Sequence, residues 1–160
     1  CLGKNMTSLR RARLTDIPEL QALYKSTIEH SCINDYSPEQ IKVWAAAAQN
    51  NERWEKRIAS QFFIVAESNG VIVGFSSLEN GSYIDMMYVH FKHLRKGIAN
   101  QLYKCLNEEA IRLGTKELYS NVSKTARPFF ELNGFSVVQE NWIEIDGVRI
   151  NNYKMIKQSF

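Results

Sequence analysis

The sequence predicts a mixed α/β (α+β) fold in which a mostly antiparallel sheet is flanked by helices. Three observations carry this. Asn69-Gly70, Asn80-Gly81 and Asp146-Gly147 each separate two runs rich in apolar and β-branched residues, the mark of a tight hairpin whose two turn residues need positive φ. Apolar residues recur at helical spacing before and after the first two of these turns. One long helical stretch lies between two strand-like runs, and a helical crossover joins parallel strands.

Residues 9–14 read as a short opening strand. Asp16, Pro18 and Glu19 then occupy the N-cap, first-turn and capping-box positions of a helix whose apolar face is Ile17, Leu20, Leu23, Tyr24 and Ile28. Ser37, Pro38 and Gln40 start a second helix carrying Ile41, Trp44, Ala45 and Ala48. Residues 62–67, 71–78 and 83–90 are three successive strands, joined by the two Asn-Gly turns. Ile98, Leu102, Cys105, Leu106, Ala110 and Leu113 repeat as one helix face, and Gly114 ends that helix. Residues 117–121 form a further strand. A shorter helix is expected between Ser123 and Asn133, starting late or bending because Pro128 lies inside it. Residues 135–145 and 149–156 pair as a last hairpin. The strands at 83–90 and 117–121, joined by the long helix, are expected to be parallel.

The 160 residues suit one domain, expected over residues 6–160. Residues 1–5 precede Met6 and are set aside as an added or disordered N-terminal remnant. No apolar run reaches the roughly 20 residues that span a bilayer, so no membrane partner is expected. Cys1, Cys32 and Cys105 are odd in number and widely spaced, which argues against a disulfide framework and against a metal site. No secretory pattern is visible, and the cytoplasm is the expected compartment. A net charge of +3, with Lys and Arg scattered along the chain, gives no nucleic-acid footprint. Any anion site must be local.

One segment offers such a site. At Val89-His90-Phe91-Lys92-His93-Leu94-Arg95-Lys96-Gly97-Ile98-Ala99 a strand ends, a short basic loop follows, and a helix starts on a glycine. A helix N-terminus presents unpaired N–H groups and the positive end of the helix dipole. Gly97 permits close backbone approach and Ala99 keeps the surface low, so the segment suits a pyrophosphate. It is neither a Walker loop nor a dinucleotide fingerprint, whose glycine spacings are missing.

The segment resembles the coenzyme A loop of the GNAT superfamily of N-acyltransferases, which reads Arg or Gln, two residues, Gly, one residue, then Gly or Ala. Gly97 and Ala99 match, and Leu94 departs at the first position. A second family segment is present in Ser123, Ala126, Phe129-Phe130-Glu131 and Gly134-Phe135, and Arg11-Ala12-Arg13 with Asp16 resembles the family's start. The detailed wording looks like an uncharacterised bacterial branch. The resemblance implies a GNAT-like sheet with splayed parallel central strands, and acetyl-CoA as co-substrate without a metal. It places the pantetheine arm along Met87, Tyr88 and Val89, and the pyrophosphate on Leu94, Arg95, Lys96, Gly97, Ile98, Ala99 and Asn100. Ser123 stands where the family often has Asn and reaches the cofactor from the neighbouring helix.

The implied reaction is direct attack of an amine on the thioester of acyl-CoA. Asp85, on the strand leading to the thioester and flanked by apolar Ile84, Met86 and Met87, is the expected base, with Tyr83 beside it. A backbone N–H near Met87 is the expected oxyanion donor. Tyr36, Trp44, Trp54 and Trp142 are candidate walls for the acceptor, a small-molecule or peptide amine, with the protein acting as a monomer or homodimer. His90 and His93 are expected to be loop residues and Cys105 to be core. The family often carries Tyr, which protonates the leaving thiolate, where this chain has Phe130. That departure leaves open a substitute hydroxyl (Tyr88, Tyr103, Tyr119 or Ser123), water, or a non-catalytic acyl-CoA sensor.

Overall fold

In a computed structural model, which describes residues 7–158, the chain forms one seven-stranded sheet with helices on both faces. Residues 1–5, the expected N-terminal remnant, lie outside the described residues. Strand β1 (Thr7–Arg11) leads through a 3-10 turn at Leu14–Asp16 into helices α1 (Ile17–Ser31), α2 (Pro38–Ala46) and α3 (Asn51–Ser60). Strands β2 (Phe62–Ser68), β3 (Val71–Glu79) and β4 (Tyr83–Val89) follow. Next come α4 (Ile98–Arg112), β5 (Glu117–Val122), α5 (Arg127–Leu132) and the hairpin of β6 (Ser136–Ile145) and β7 (Val148–Gln158). The strand order is β1-β2-β3-β4-β5-β7-β6, and only β4 and β5 pair in parallel. No helix among the described residues is long and apolar enough to cross a membrane.

The local signals act as their chemistry requires. Both residues of all three Asn-Gly and Asp-Gly turns have positive φ, between 48° and 80°, the pattern of a type I′ hairpin turn. Ser37 and Gln40 form a reciprocal capping box at α2. Helix α5 starts late, at Arg127, which puts Pro128 in its first turn, where a missing N–H costs nothing.

Two apolar cores sit on opposite sheet faces. One joins α1, α2 and α3 around Trp54, Phe63 and Phe75; the other joins α4 and α5 around Leu102, Leu118, Phe130 and Met155. Contact between α4 and the sheet is close at Gly74. A Cβ there would come within 3.1 Å of Ile98 and of the Tyr88 carbonyl, so the glycine sets how deeply α4 sits on β3 and β4.

Three expectations change. The opening strand ends at Arg11 rather than reaching residue 14, because the chain turns at Leu14–Asp16. Asp16 does not cap α1. Its carboxylate takes the Arg13 N–H at 2.7 Å and both ends of the Arg10 guanidinium at 2.9 Å, and Arg10 also reaches Glu67 at 3.1 Å. Glu19 likewise bonds the Ile72 N–H at 2.8 Å instead of closing a box. Helix α3 is an added element. Its polar sequence is anchored by Trp54, which is 1% exposed and packs edge-on against Tyr24 and Phe75. Trp54 is therefore core and not an acceptor wall.

The Arg10 hydrogen bonds hold the Asp16 carboxyl below its usual range. Asp16 therefore contributes stability that is complete above its unfolded pKa of about 3.9 and fades as pH falls through its lower folded value. Asp16→Asn is expected to lower unfolding free energy at pH 7 by about 1.5–3 kcal/mol, the range for hydrogen bonds to charged groups. Urea melts at stepwise lower pH should show parent and variant converging below about pH 4.

Candidate active site

The site is organised by one extra residue in β4. Ile84 pairs with Leu78 and Met86 with Ser77, so Asp85 has no partner on β3. This bulge breaks the alternation of side chains. Ile84 belongs to the α4 core, yet Met86, two residues on, belongs to the α1 core. A bulge bends and overtwists its strand and often ends pairing on the far side. Pairing between β4 and β5 stops there: only Tyr83↔Tyr119 and Ile84↔Ser120 are in register. The Ser120 hydroxyl donates to the Ile84 carbonyl at 2.7 Å. Beyond this point β5 stays paired with β7 as far as Val122↔Tyr153, while β4 follows β3.

The open side of β4 therefore carries backbone groups with no strand partner. His90 donates to the Val73 carbonyl at 2.9 Å, which orients its N–H toward β3. By strand alternation Tyr88 and Met86 also face β3, while the N–H and C=O groups of Met87 and Val89 face the gap. Thr27 from α1 donates to the Val89 carbonyl at 3.3 Å.

At the wide end of the gap lies the basic loop. A 3-10 turn at Phe91–His93 is followed by Arg95 at φ 62° and Gly97 at φ 78°. Gly97 is the N-cap of α4, no side chain caps the helix, and Gln101 N–H makes the first intrahelical bond to the Gly97 carbonyl at 3.0 Å. The N–H groups of Ile98, Ala99 and Asn100 precede that bond. A Cβ on Gly97 would meet nothing within 4 Å, so the backbone faces open space, as a phosphate cradle requires.

A cavity of about 950 Å³ joins these parts. Met87, Tyr88, Val89, Leu94, Arg95, Gly97, Ile98, Ala99, Asn100 and Ser123 all line it, as do Asp85, Tyr36 and Trp44; Lys96 does not. Tyr83 is also outside. Its ring packs against Tyr119 and its hydroxyl accepts from Asn121 at 3.3 Å. Trp142 is 52% exposed on the hairpin beneath the Arg149 guanidinium, again away from the cavity. The hairpin's contribution comes instead from Ile143, Ile145 and Ile150.

Asp85 is not in apolar surroundings. Arg57 Nε donates to its Oδ2 at 2.9 Å and Gln61 Nε2 to the same oxygen at 3.0 Å. Both come from the α3 segment. Oδ1 has no protein partner among the described residues.

Tyr36 lines the cavity and acts as a tie. Its buried hydroxyl donates to the Asn151 carbonyl and accepts from the Lys124 N–H, both at 2.9 Å, and burial pushes its pKa up to about 12. Thr125 bonds Asp35 at 2.7 Å beside it. His30 and His90 both stack on Phe91 near the loop, and burial lowers the His90 pKa.

Phe130, 2% exposed, sits edge-on against Phe129 and Phe135 and lines the cavity. Of the four hydroxyls considered in its place, Tyr88 lies among Tyr24 and Phe75, and Tyr103 accepts from Lys157 at 2.9 Å. Tyr119 packs against Tyr83. Tyr88 and Ser123 both line the cavity, and the Ser123 Oγ is used only as an acceptor, for the Ala126 N–H at 3.1 Å. Thr27 and Ser31, one helical turn apart on α1, also reach the cavity. Their spacing beside the apolar stripe was the one sequence signal for them.

Residues 32–157 match the acetyltransferase (GNAT) domain family. The chain is 33% identical over 152 residues to an uncharacterised N-acetyltransferase, YafP, of Escherichia coli strain K12, covering 94% of this chain and 95% of the relative. A GCN5-related N-acetyltransferase from Rhodopseudomonas palustris superposes with a TM-score of 0.93 at 30% identity, over 99% of both chains. The PaiA N-acetyltransferase of Thermoplasma acidophilum, solved with coenzyme A, shares the fold with a TM-score of 0.79 at 19% identity, over 96% of this chain and 99% of that one. With a family match across most of its length, the chain belongs to the GNAT acetyltransferases.

Proposed function

We propose that the protein transfers an acetyl group from acetyl-CoA to the nitrogen of an amine by direct attack on the thioester. The observation that carries this reading is the gap between β4 and β5, which opens Met87 and Val89 backbone groups toward the uncapped start of α4. A pantetheine arm carries amides that need strand-like partners, and a pyrophosphate needs N–H donors. The gap supplies the first and the Arg95–Asn100 segment the second.

Acetyl-CoA brings an activated acyl group, so no covalent enzyme intermediate is needed. In the transfer a C–N bond forms, the C–S bond breaks, and the amine loses a proton as the thiolate leaves. Asp85 Oδ1, at the start of the gap, receives the amine N–H, while Arg57 and Gln61 fix the carboxylate through Oδ2. The Met87 N–H, which faces the gap, would donate to the negative charge that gathers on the thioester oxygen. Phe130 has no proton to give. The Ser123 hydroxyl, or water, serves the leaving sulfur, whose pKa as a thiol is about 8.5 and makes that demand modest.

Release of free thiol from acetyl-CoA in the presence of amines tests the reading; a protein that binds acetyl-CoA without releasing thiol would be a sensor. Gly97→Glu should abolish acetyl-CoA binding in calorimetric titration. The side chain enters open space, so the cost to the fold is limited to about 1–2 kcal/mol for a left-handed non-glycine residue. Asp85→Asn should leave acetyl-CoA affinity unchanged and lower kcat by about 10²–10⁴, the usual scale for losing an acid–base group. Normal turnover in that variant across pH would remove Asp85 from the chemistry.

A further inference from the structure

The end of α1 bridges the split in the sheet. On the β4 side the Thr27 hydroxyl donates to the Val89 carbonyl at 3.3 Å, and His30 stacks on Phe91 with ring centroids 3.9 Å apart. On the far side the α1–α2 connection is tied to the segment after β5. The Thr125 hydroxyl donates to Asp35 at 2.7 Å, and the Lys124 N–H donates to the Tyr36 hydroxyl at 2.9 Å. Ser31 is the last residue of α1 and falls between these two sets of ties. It lies one helical turn beyond Thr27 on the same face, and both residues line the cavity.

The Ser31 hydroxyl is not used within the protein. Its Oγ is buried and has no hydrogen-bond partner among the described residues. A helical serine can bond a carbonyl of the preceding turn. Ser26, on the same helix, does so with Leu23 at 3.2 Å, and Ser60 on α3 with Lys56 at 2.8 Å. Ser31 forgoes that bond beside an open cavity. A buried hydroxyl without a partner is costly, so one that persists calls for a function. Rotation about a single side-chain bond carries a serine hydroxyl from one staggered position to the next.

We propose that Ser31 is a cofactor-binding residue whose hydroxyl hydrogen-bonds the phosphate-side half of the pantetheine arm as the arm passes under the end of α1. The proposal rests on the reading above that acetyl-CoA occupies the gap. On that reading the arm runs from the start of α4 past Val89 and Met87 toward Asp85. The contacts of Thr27 with Val89 and of His30 with Phe91 set this turn of α1 beside the loop end of that path. The part of the arm nearest the phosphates carries a hydroxyl and an amide, and a serine hydroxyl can both donate to and accept from such groups. The thioester lies at the opposite end, so Ser31 binds and takes no part in the chemical step.

The test is calorimetric titration of the parent and Ser31→Ala with two ligands. One is acetyl-CoA. The other is ADP bearing the cofactor's ribose phosphate, which is the nucleotide portion without the arm, read by displacement of acetyl-CoA. Ser31→Ala should bind acetyl-CoA about two- to tenfold more weakly, the worth of one hydrogen bond, and bind the armless nucleotide as the parent does. Without ligand the variant should melt no lower than the parent, because it loses a hydroxyl that has no partner. Unchanged acetyl-CoA affinity in Ser31→Ala would overturn the assignment and leave the transfer reading standing. An equal loss for both ligands would do the same, since it would place the effect on the loop and not on the arm. Failure of the parent to bind acetyl-CoA would overturn the transfer reading and this one with it.

Discussion

The site depends on the bulge at Asp85. One residue without a partner on β3 turns β4 so that its last pairing with β5 is Ile84↔Ser120. From there the two central strands are held by different neighbours, β4 by β3 and β5 by β7. An unpaired strand edge inside a sheet would normally be a fault, since buried N–H and C=O groups without partners are costly. Here the edge is open to a cavity of about 950 Å³, and a ligand with amide groups can complete the ladder. The same bulge turns Asp85 toward Arg57 and Gln61 on the α3 side. One backbone irregularity thus sets both the open strand edge and the carboxylate beside it.

The surrounding elements keep the gap from closing or spreading. Gly74 lets α4 sit close on β3 and β4, which fixes the helix start relative to Val89. The Tyr36 hydroxyl ties the α1–α2 connection to β7 and to the segment after β5. Thr27 takes one gap-facing carbonyl from the α1 side. Each tie is made from a residue outside the split strands, so the strands can stay apart without being loose.

Much of the fold was legible because its signals are local. An Asn-Gly pair dictates its turn from its own conformational limits, and Ser37 with Gln40 closes a box within four residues. The loop around Gly97 could be read for the same reason: strand, basic loop and helix start are contiguous. What could not be read depends on contacts across the fold. Asp16 looked like a cap until Arg10 and Glu67 came beside it. Helix α3 has few apolar residues and forms because Trp54 finds Tyr24 and Phe75. Without α3, Asp85 seemed to have only apolar neighbours, since its partners come from 24 and 28 residues away. Trp142 was a reasonable wall by type, but strand β6 presents it outward and turns Ile143 and Ile145 to the cavity.

If acetyl-CoA completes the open edge of β4, residue-resolved amide hydrogen exchange will read it directly. In the free protein the Met87 and Val89 amides face the gap, whereas the Tyr88 amide faces β3. Saturating acetyl-CoA should slow exchange at Met87 and Val89 by at least about tenfold, the protection expected of a newly formed backbone hydrogen bond, and leave Tyr88 little changed. Tight binding of acetyl-CoA with Met87 and Val89 exchanging as in the free protein would contradict the assignment and place the cofactor outside the gap.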